Sequence, residues 1–460
     1  MNPEPTRALA AFVTGADAHG VPPAVRHEAK RAILNWLGCA IGASRHETIE
    51  RALAGLAPFA GPPQATILGR LERFDILTAA LLNGTASHTF DFDDTHLKTI
   101  IHPTGPVASA LLALAEHMPV GGDAFVHAFV LGTEVECRIG NAVYPSHYDV
   151  GWHITGTAGV FGAAAAAGRL LGLSEQQLGW ALGIAATQSS GLREMFGSMC
   201  KPLHVGLAAR NGLTAALLAR QDFTSTPQPI EGRRGFANVL ATERDFARIT
   251  SGLGQTWELE SNSYKPFACG VVVHPAIDGC LQLRAAHRLV PAAIEAIDLQ
   301  VHPLVLELTG KQAPRTGLEG KFSVYHSCAV AIADGAAGQA QYSDARVADP
   351  KVVALRERVH AQASGVIAED AAGVRIRLKD GRVLECRVEH ALGSRGRPMS
   401  DSNLEMKFRD LSSAVLEPSA IDALIAACWT LDASPDAGAL ARMTVPRHNA
   451  APAISLGELP

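Results

Sequence analysis

The sequence predicts a mainly α-helical protein that is interrupted by a smaller α+β insertion. Apolar residues follow helical spacing through most of the first 263 residues, strand-like alternation begins after about residue 264, and helical spacing returns toward the C-terminus. We therefore expect a large all-helical domain built from both chain ends, residues 1–263 and 398–460. The α+β domain is expected at residues 264–397.

Long segments of the first part have the apolar periodicity of helices. They are residues 24–43, 73–92, 106–118, 122–143, 155–172 and 202–221. The last two are rich in alanine and glycine, which allow helices to approach closely. We expect these two helices to be central and buried.

The insertion is predicted from its strand signals. Residues 295–303 alternate as a strand does, and residues 373–390 contain two alternating runs joined at Asp380-Gly381, which is typical of a β-hairpin. Helical spacing predicts further helices at residues 322–337 and 350–362 of the insertion, and at residues 401–415 and 419–431 of the C-terminal part.

Composition excludes several classes of protein. The chain is 47% hydrophobic and 18% charged, with a net charge of −5 and no block of like charges, which disfavours nucleic acid and anionic membranes as partners. The eight cysteines are widely spaced and form no C-x-x-C pair, as is typical of reduced thiols in a cytoplasmic protein. No uncharged apolar run reaches the ~18 residues of a membrane span, and the first residues do not resemble a signal peptide.

One stretch, NGTASHTFDFDDTHLKTIIHPTGP at residues 83–106, concentrates carboxylates and imidazoles. If it is helical up to about residue 102, then His88, Asp91, Thr95, Thr99 and His102 line one face. Such a face can transfer protons, and a solvated polar face is the alternative. A divalent metal is a further alternative, but this stretch contains no H-E-x-x-H or E-x-x-H pair, so we expect no metal.

A second pattern places His102, His153 and Lys201 just before helices rich in small residues. Helix N-termini offer free N–H groups and a positive potential that attract carboxylates, so three of them suit a substrate with several carboxylates. The G-x-S-x-G and G-x-G-x-x-G patterns are missing, which disfavours a serine nucleophile and a nucleotide site.

The insertion contributes a smaller set of candidates. Lys265 and His274 flank an apolar run, and Tyr325 and His326 stand at a predicted helix start. These four side chains are candidates for closing over a substrate. Packing and helix capping are the alternative explanation for them.

Five motifs, in order along almost the whole chain, resemble one known family. NGTASHTFDFDDTH…HPTGP, GWHITGTAG, KPLHVGLAARNG, KPFACGVVVHP and KFSVYHS look like the successive motifs of the 2-methylcitrate dehydratase (MmgE/PrpD) family. That family includes cis-aconitate decarboxylases and an iminodisuccinate epimerase. The resemblance implies a helical domain from both chain ends, an inserted α+β lid with the active site in the cleft, and a cytoplasmic homodimer without metal or organic cofactor.

The resemblance also implies roles for individual residues. The implied catalytic residues are Asp91, Thr95, His102, His153 and Lys201, and the implied substrate-binding residues are Asp94, His96, Lys265, His274, Tyr325 and His326. Tyr325 and His326 compete for one lid position. The chain departs from the family at His96, where relatives commonly carry tryptophan, and in the length of the connection from Thr95 to His102.

The expected function is that of a cofactor-independent lyase, a dehydratase or decarboxylase. Its substrate would be a small di- or tricarboxylate such as 2-methylcitrate or cis-aconitate, transformed by acid–base proton transfer. Two alternatives stay open: an epimerase or racemase of a polycarboxylate such as iminodisuccinate, and a non-catalytic ligand-binding protein. Proton exchange from D2O without product formation would identify the epimerase.

Overall fold

The computed structural model describes residues 4–394 and 396–447 of the 460-residue chain. The chain divides into two compact units. Unit 1 takes in the chain up to Thr89, then Asp93–Asn262, and the chain from Leu404 onward. Unit 2 takes in Phe90–Phe92 and Ser263–Asn403.

Helices dominate the chain up to the insertion. In order, the elements are α1 Pro5–Gly15, α2 Pro23–Gly42, α3 Glu47–Leu56, β1 Ala65–Thr66, β2 Arg73–Phe74, α4 Ile76–Thr89, β3 Thr95–His96, α5 Thr104–His117, α6 Gly122–Val143, α7 Ser146–Val150, α8 Ile154–Leu170, α9 Glu175–Ala186, α10 Cys200–Ala219, α11 Phe236–Leu240, α12 Ala247–Thr250 and β4 Asn262–Ser263. Local sequence sets several starts: Pro5 and Pro23 occupy first helical positions, and Ser174 with Gln177 forms a capping box for α9.

The insertion and the C-terminal part contain the remaining elements. They are α13 His274–His287, β5 Ile294–Val301, α14 Pro303–Thr309, α15 Gly317–Gly320, α16 Val324–Asp334, α17 Asp344–Val347, α18 Pro350–Arg356, β6 Val359–Ala363, β7 Ala372–Leu378, β8 Val383–Val388, α19 Asp401–Ser412, α20 Pro418–Trp429 and α21 Ala439–Met443. The predicted fold class, mainly α with an α+β insertion, is confirmed.

Helices α4, α8 and α10 pack closely at the centre of unit 1 because glycines remove side chains from their contacts. A Cβ on Gly84 of α4 would lie 2.9 Å from the Cα of Gly206 on α10. A Cβ on Gly212 of α10 would lie 2.6 Å from the Val160 carbonyl oxygen of α8. The prediction that the two Ala/Gly-rich helices are buried is confirmed for α8, which is buried from Ile154 to Gly168, and holds in part for α10, which has 12 of its 20 residues buried.

Unit 2 contains a four-stranded sheet in the order β6-β5-β7-β8. Strand β5 runs parallel to β6 and antiparallel to β7, and β7 pairs with β8 through the predicted hairpin, where Gly381 adopts a φ of 89°. The helix predicted over 350–362 is wrong in its second half. It ends at Arg356, and Val359–Ala363 pairs with Ile297–Val301 because tertiary strand pairing overrides local helical spacing.

Two further expectations concern the cysteines and membranes. All eight cysteines are reduced, outside any disulfide bond, and six of them are buried. Within residues 4–394 and 396–447, none of the helices has the length and apolar character required to cross a bilayer.

Candidate active site

The polar stretch at residues 83–106 is a loop rather than a continuous helix. Helix α4 ends at Thr89, so the prediction that one helix face carries His88 through His102 is wrong. Two residues explain the break, since Asp91 and Ile100 adopt positive φ angles of 50° and 62°. Such a conformation is unusual for a β-branched residue, and backbone strain of this kind often accompanies functional sites.

The loop nevertheless brings two imidazoles to one carboxylate within unit 1. Nδ1 of His88 lies 2.7 Å from Oδ2 of Asp93, and Nδ1 of His102 lies 3.5 Å from Oδ1 of the same side chain. His102 is also 2.7 Å from the backbone oxygen of Asp94 and 3.4 Å from Oγ1 of Thr95. All five side chains are buried, so these imidazole and carboxyl groups, which are of the kind that can exchange protons, are shielded from bulk water.

Asp94 is a second carboxylate in the same loop. It accepts hydrogen bonds from Thr104 (2.6 Å) and Asn262 (2.8 Å). Burial and the adjacent charge of Asp93 outweigh these bonds and raise the pKa of Asp94 to about 7. A carboxyl group with this pKa can gain or lose a proton near neutral pH, as acid–base catalysis requires.

A further cluster joins α8 to α10. Nδ1 of His153 lies 3.0 Å from Nδ1 of His204, and the His153 ring stacks on His88 with ring centres 5.8 Å apart. The Lys201 ammonium group lies 5.1 Å from the centre of the Phe196 ring, whose edge contacts His153. Burial and the nearby charge of His88 lower the pKa of His153 well below its usual value, so its ring is neutral.

The three helix starts predicted from the sequence are present. His153 is the N-cap of α8, Lys201 is the second residue of α10, and His102 precedes the first residue of α5 by two positions. Each of these helices has at least 14 residues, so its N-terminus presents oriented N–H groups and a positive potential. These three helix N-termini can attract the carboxylates of a small anion.

His96 lies in a different network of unit 1. Its ring is buried, with Nδ1 2.7 Å from Thr99 Oγ1 and Nε2 3.0 Å from Glu258 Oε2. Lys98 donates to the same Glu258 oxygen at 2.8 Å. Burial raises the pKa of Glu258, but the hydrogen bonds from His96 and Lys98 outweigh it and lower this pKa to about 2. Both ring nitrogens of His96 therefore have protein partners, which the sequence did not indicate.

Within unit 2, Asp91 and Lys265 form a buried ion pair. The Lys265 ammonium group donates to Oδ1 of Asp91 at 2.8 Å and to the Asp91 backbone oxygen at 2.9 Å. Lys321 binds Phe90, the residue before Asp91. Its ammonium group donates to the backbone oxygens of Phe90 and Ala268 and to the Gln339 side chain. Two lysines thereby bind Phe90 and Asp91.

The other candidates of unit 2 lie on helix starts. His274 is the first residue of α13, and its ring meets the Phe267 ring edge-on. Tyr325 lines a cavity of about 460 Å³ together with Arg356 and His360. The neighbouring His326 is buried, with Nε2 2.9 Å from the Gln341 backbone oxygen. Tyr325 and His326 thus occupy distinct surroundings, and their substrate-binding roles stay predictions.

The loop cluster of unit 1 also has the spacing of a metal site. The ligand atoms of His88, Asp93 and His102 lie within 4.8 Å of one another. Imidazole and carboxylate groups suit divalent transition metals, so the metal alternative considered from the sequence has a geometric counterpart. The effect of a chelator on turnover distinguishes a metal site from a metal-free proton-transfer site.

Glu136 of α6 is a buried carboxyl that the sequence analysis did not single out. It is fully buried, and within the described part of the chain neither of its oxygens has a hydrogen-bond partner. Gly159 and Gly162 of α8 make room for it, since a Cβ on Gly162 would lie 2.7 Å from Glu136 Oε2. Burial, with a smaller contribution from the charge of Asp94, raises the pKa of Glu136 well above its usual value, so the group is neutral.

We expect Glu136→Gln to reduce the loss of stability that accompanies a rise in pH from 5 to 8. The raised pKa in the folded state means that the unfolded chain releases this proton first, so its contribution to stability declines above about pH 4.5. The decline cannot exceed about 1.4 kcal/mol per pH unit for one proton. Thermal unfolding of the wild type and the variant between pH 5 and pH 8 measures this decline. The stability of the variant relative to the wild type should increase with pH. Stability curves that run parallel over this range would contradict the prediction.

Comparison with known proteins identifies the family. A family model described as the MmgE/PrpD N-terminal domain matches residues 7–249, and one described as the MmgE/PrpD C-terminal domain matches residues 267–431. Among curated relatives, a cis-aconitate decarboxylase of Aspergillus terreus is 27% identical over 430 residues, which cover 87% of this chain and 88% of the relative.

Two other relatives match over similar lengths. A cis-aconitate decarboxylase of Homo sapiens is 26% identical over 441 residues, covering 91% of this chain and 90% of the relative. A 2-methylcitrate dehydratase of Cupriavidus necator is 25% identical over 461 residues, covering 93% of this chain and 94% of the relative. Since both family models match and together span most of the sequence, the chain belongs to the MmgE/PrpD family and is a lyase of that type.

Proposed function

We propose that this lyase acts on a small tricarboxylate without a cofactor, with cis-aconitate as the first candidate substrate. The observation that carries the proposal is the buried cluster of unit 1, in which His88 and His102 share Asp93 and His153 stacks on His88. Relatives named cis-aconitate decarboxylase are 27% and 26% identical to the chain, against 25% for the 2-methylcitrate dehydratase, so cis-aconitate is placed first.

Decarboxylation places definite demands on the site. The bond between a substrate carbon and one carboxylate breaks, CO2 leaves, and the electron pair stays on carbon as a carbanion conjugated with a remaining carboxylate. A proton delivered to carbon then gives a dicarboxylate. His102 and His153 are the proposed proton-transfer groups, Thr95 orients His102, and Lys201 with the N-termini of α5, α8 and α10 stabilises the negative charge.

Dehydration of 2-methylcitrate is the second candidate reaction, favoured by the match to the Cupriavidus necator enzyme. Here a proton next to a carboxylate is removed and the departing hydroxyl group takes up a proton. Asp94, with its pKa of about 7, suits such an exchange because it is poised between its two protonation states.

The test is direct conversion. Purified protein is incubated with cis-aconitate, 2-methylcitrate, citrate and iminodisuccinate in separate NMR experiments. Loss of CO2 from cis-aconitate supports the first candidate, and loss of water from 2-methylcitrate supports the second. Inversion of iminodisuccinate without release of CO2 or water, or inertness toward all four compounds, would contradict the proposal.

We expect turnover to survive removal of metal ions. The proposed chemistry uses only side chains, so dialysis against EDTA should leave kcat unchanged. A loss of activity that Zn²⁺ or Mn²⁺ restores would contradict this prediction and would indicate an ion held by His88, Asp93 and His102. Metal content measured before and after dialysis is the control.

The remaining expectations about partners stay predictions. A homodimer, a cytoplasmic location, and the absence of nucleic-acid and membrane partners are implied by the family resemblance and the net charge of −5. Light scattering coupled to size exclusion measures the oligomeric state, and a monomeric mass would contradict the dimer.

A further inference from the structure

The two histidines that join α8 and α10 share one hydrogen bond. Nδ1 of His153 and Nδ1 of His204 are 3.0 Å apart, which is the distance of an N–H···N bond. A neutral imidazole donates from one nitrogen and accepts at the other. One Nδ1 must therefore carry a hydrogen while the other offers its lone pair.

The residues around His153 and His204 pack closely against the two rings. The His153 backbone N–H donates to the Gly191 oxygen at 3.0 Å, and a Cβ on Gly191 would lie 3.1 Å from Cγ of His204. On the other side, a Cβ on Gly156 would lie 3.0 Å from Cβ of His204. Two glycines thus leave room for the His204 ring, and Gly191 can hold its φ of 128° because it has no side chain.

Both rings are neutral at physiological pH. Burial and the nearby charge of His88 lower the pKa of His153 well below its usual value and that of His204 to about 4. When Nδ1 of His153 donates, its Nε2 has a free lone pair and is a base. When Nδ1 of His153 accepts, its Nε2 carries the hydrogen and is an acid.

We propose that His204 is a positioning residue for His153, fixing its ring and setting which of its nitrogens carries the proton. His153 then cannot change from base to acid unless His204 changes tautomer with it. The inference rests on the proposed role of His153 in proton transfer, and it adds a residue that the family resemblance did not supply.

The first test needs no substrate. In protein labelled with ¹⁵N-histidine, a coupling between Nδ1 of His153 and Nδ1 of His204 across the hydrogen bond is expected, with His153 in one tautomer. The signals are assigned from the spectra of His153→Asn and His204→Asn. A missing coupling, or a His153 ring that averages two tautomers in the wild type, would overturn the proposal even if the protein converts cis-aconitate or 2-methylcitrate.

The second test uses turnover of whichever substrate the wild type accepts. His204→Leu should lower kcat roughly tenfold to a hundredfold, the usual cost of losing a group that orients a functional imidazole, with little change in KM. His204→Asn keeps a polar atom near Nδ1 and should recover part of this loss. An unchanged kcat in His204→Leu would overturn the proposal.

His147 supplies the matched control. It is also buried and also contacts α8, with Nε2 2.7 Å from Thr157 Oγ1, but it lies outside the His153 pair. His147→Leu should leave kcat and the His153 signals as in the wild type. If the wild type converts none of the substrates, the proposed function fails while the ¹⁵N spectra still decide the role of His204.

Discussion

Replacing His102 by asparagine is expected to lower kcat by about 10²–10⁴-fold, the range that a general acid or base contributes. The substitution removes the imidazole that faces Asp93 and the Asp94 backbone oxygen, while asparagine keeps a polar side chain in the buried site. Turnover is followed by NMR with the substrate that the wild type converts. Retention of wild-type kcat would remove His102 from the proposed mechanism.

The control for this variant is another buried histidine of the same unit. His127 lies in α6 and is 3% exposed, and it is outside the cluster of His88, Asp93 and His102. His127→Asn should alter packing to a similar degree and leave kcat near the wild-type value. An equal loss in both variants would indicate general damage to the fold rather than loss of a proton-transfer group.

Replacing Lys265 by methionine is expected to destabilise the protein by about 3–5 kcal/mol, the typical cost of removing one partner from a buried ion pair. Lys265 is 3% exposed and donates two hydrogen bonds to Asp91. Methionine has a side chain of similar length but carries no charge. Chemical denaturation followed by circular dichroism gives the change in free energy of unfolding.

An exposed pair in the same unit provides the comparison. Lys311 and Glu319 lie 3.0 Å apart, but the Lys311 side chain is 46% exposed, so Lys311→Met should cost only roughly 0–1 kcal/mol. Adding Asp91→Asn to Lys265→Met should recover part of the stability, because the buried negative charge is then removed as well. Equal costs for the two lysines would contradict the assignment of a buried pair.

Much of the architecture could be predicted because it depends on local patterns. Helix α6 occupies the predicted residues 122–143, and the hairpin turns at Asp380-Gly381 as its alternating runs indicate. Strand β6 could not be predicted, because the pairing of Val359–Ala363 with β5 is a contact between distant parts of the chain.

In the candidate site, too, the features that depend on local sequence were predicted and the others were not. The motifs indicated His102, His153 and Lys201 at helix starts, where the structure places them. Helical spacing failed at residues 90–102, because Asp91 leaves the helical conformation there.

Residues defined by tertiary contact were missed for a physical reason. Glu136 is notable only because glycines of another helix surround it, and Glu258 only because it meets His96. His204 did offer a signal, since it follows Lys201 by three residues and so shares its helix face.

The three residues Phe90–Phe92 make unit 2 a discontinuous piece of the chain. Lys321 binds the Phe90 backbone and Lys265 binds Asp91, so both lysines depend on a segment more than 170 positions earlier in the sequence. A fragment confined to Ser263–Asn403 would lose the carboxylate partner of Lys265 and one of the three acceptors of Lys321. Unit 2 is therefore unsuited to autonomous expression or to transplantation into another scaffold, and any excision must carry residues 90–92 along.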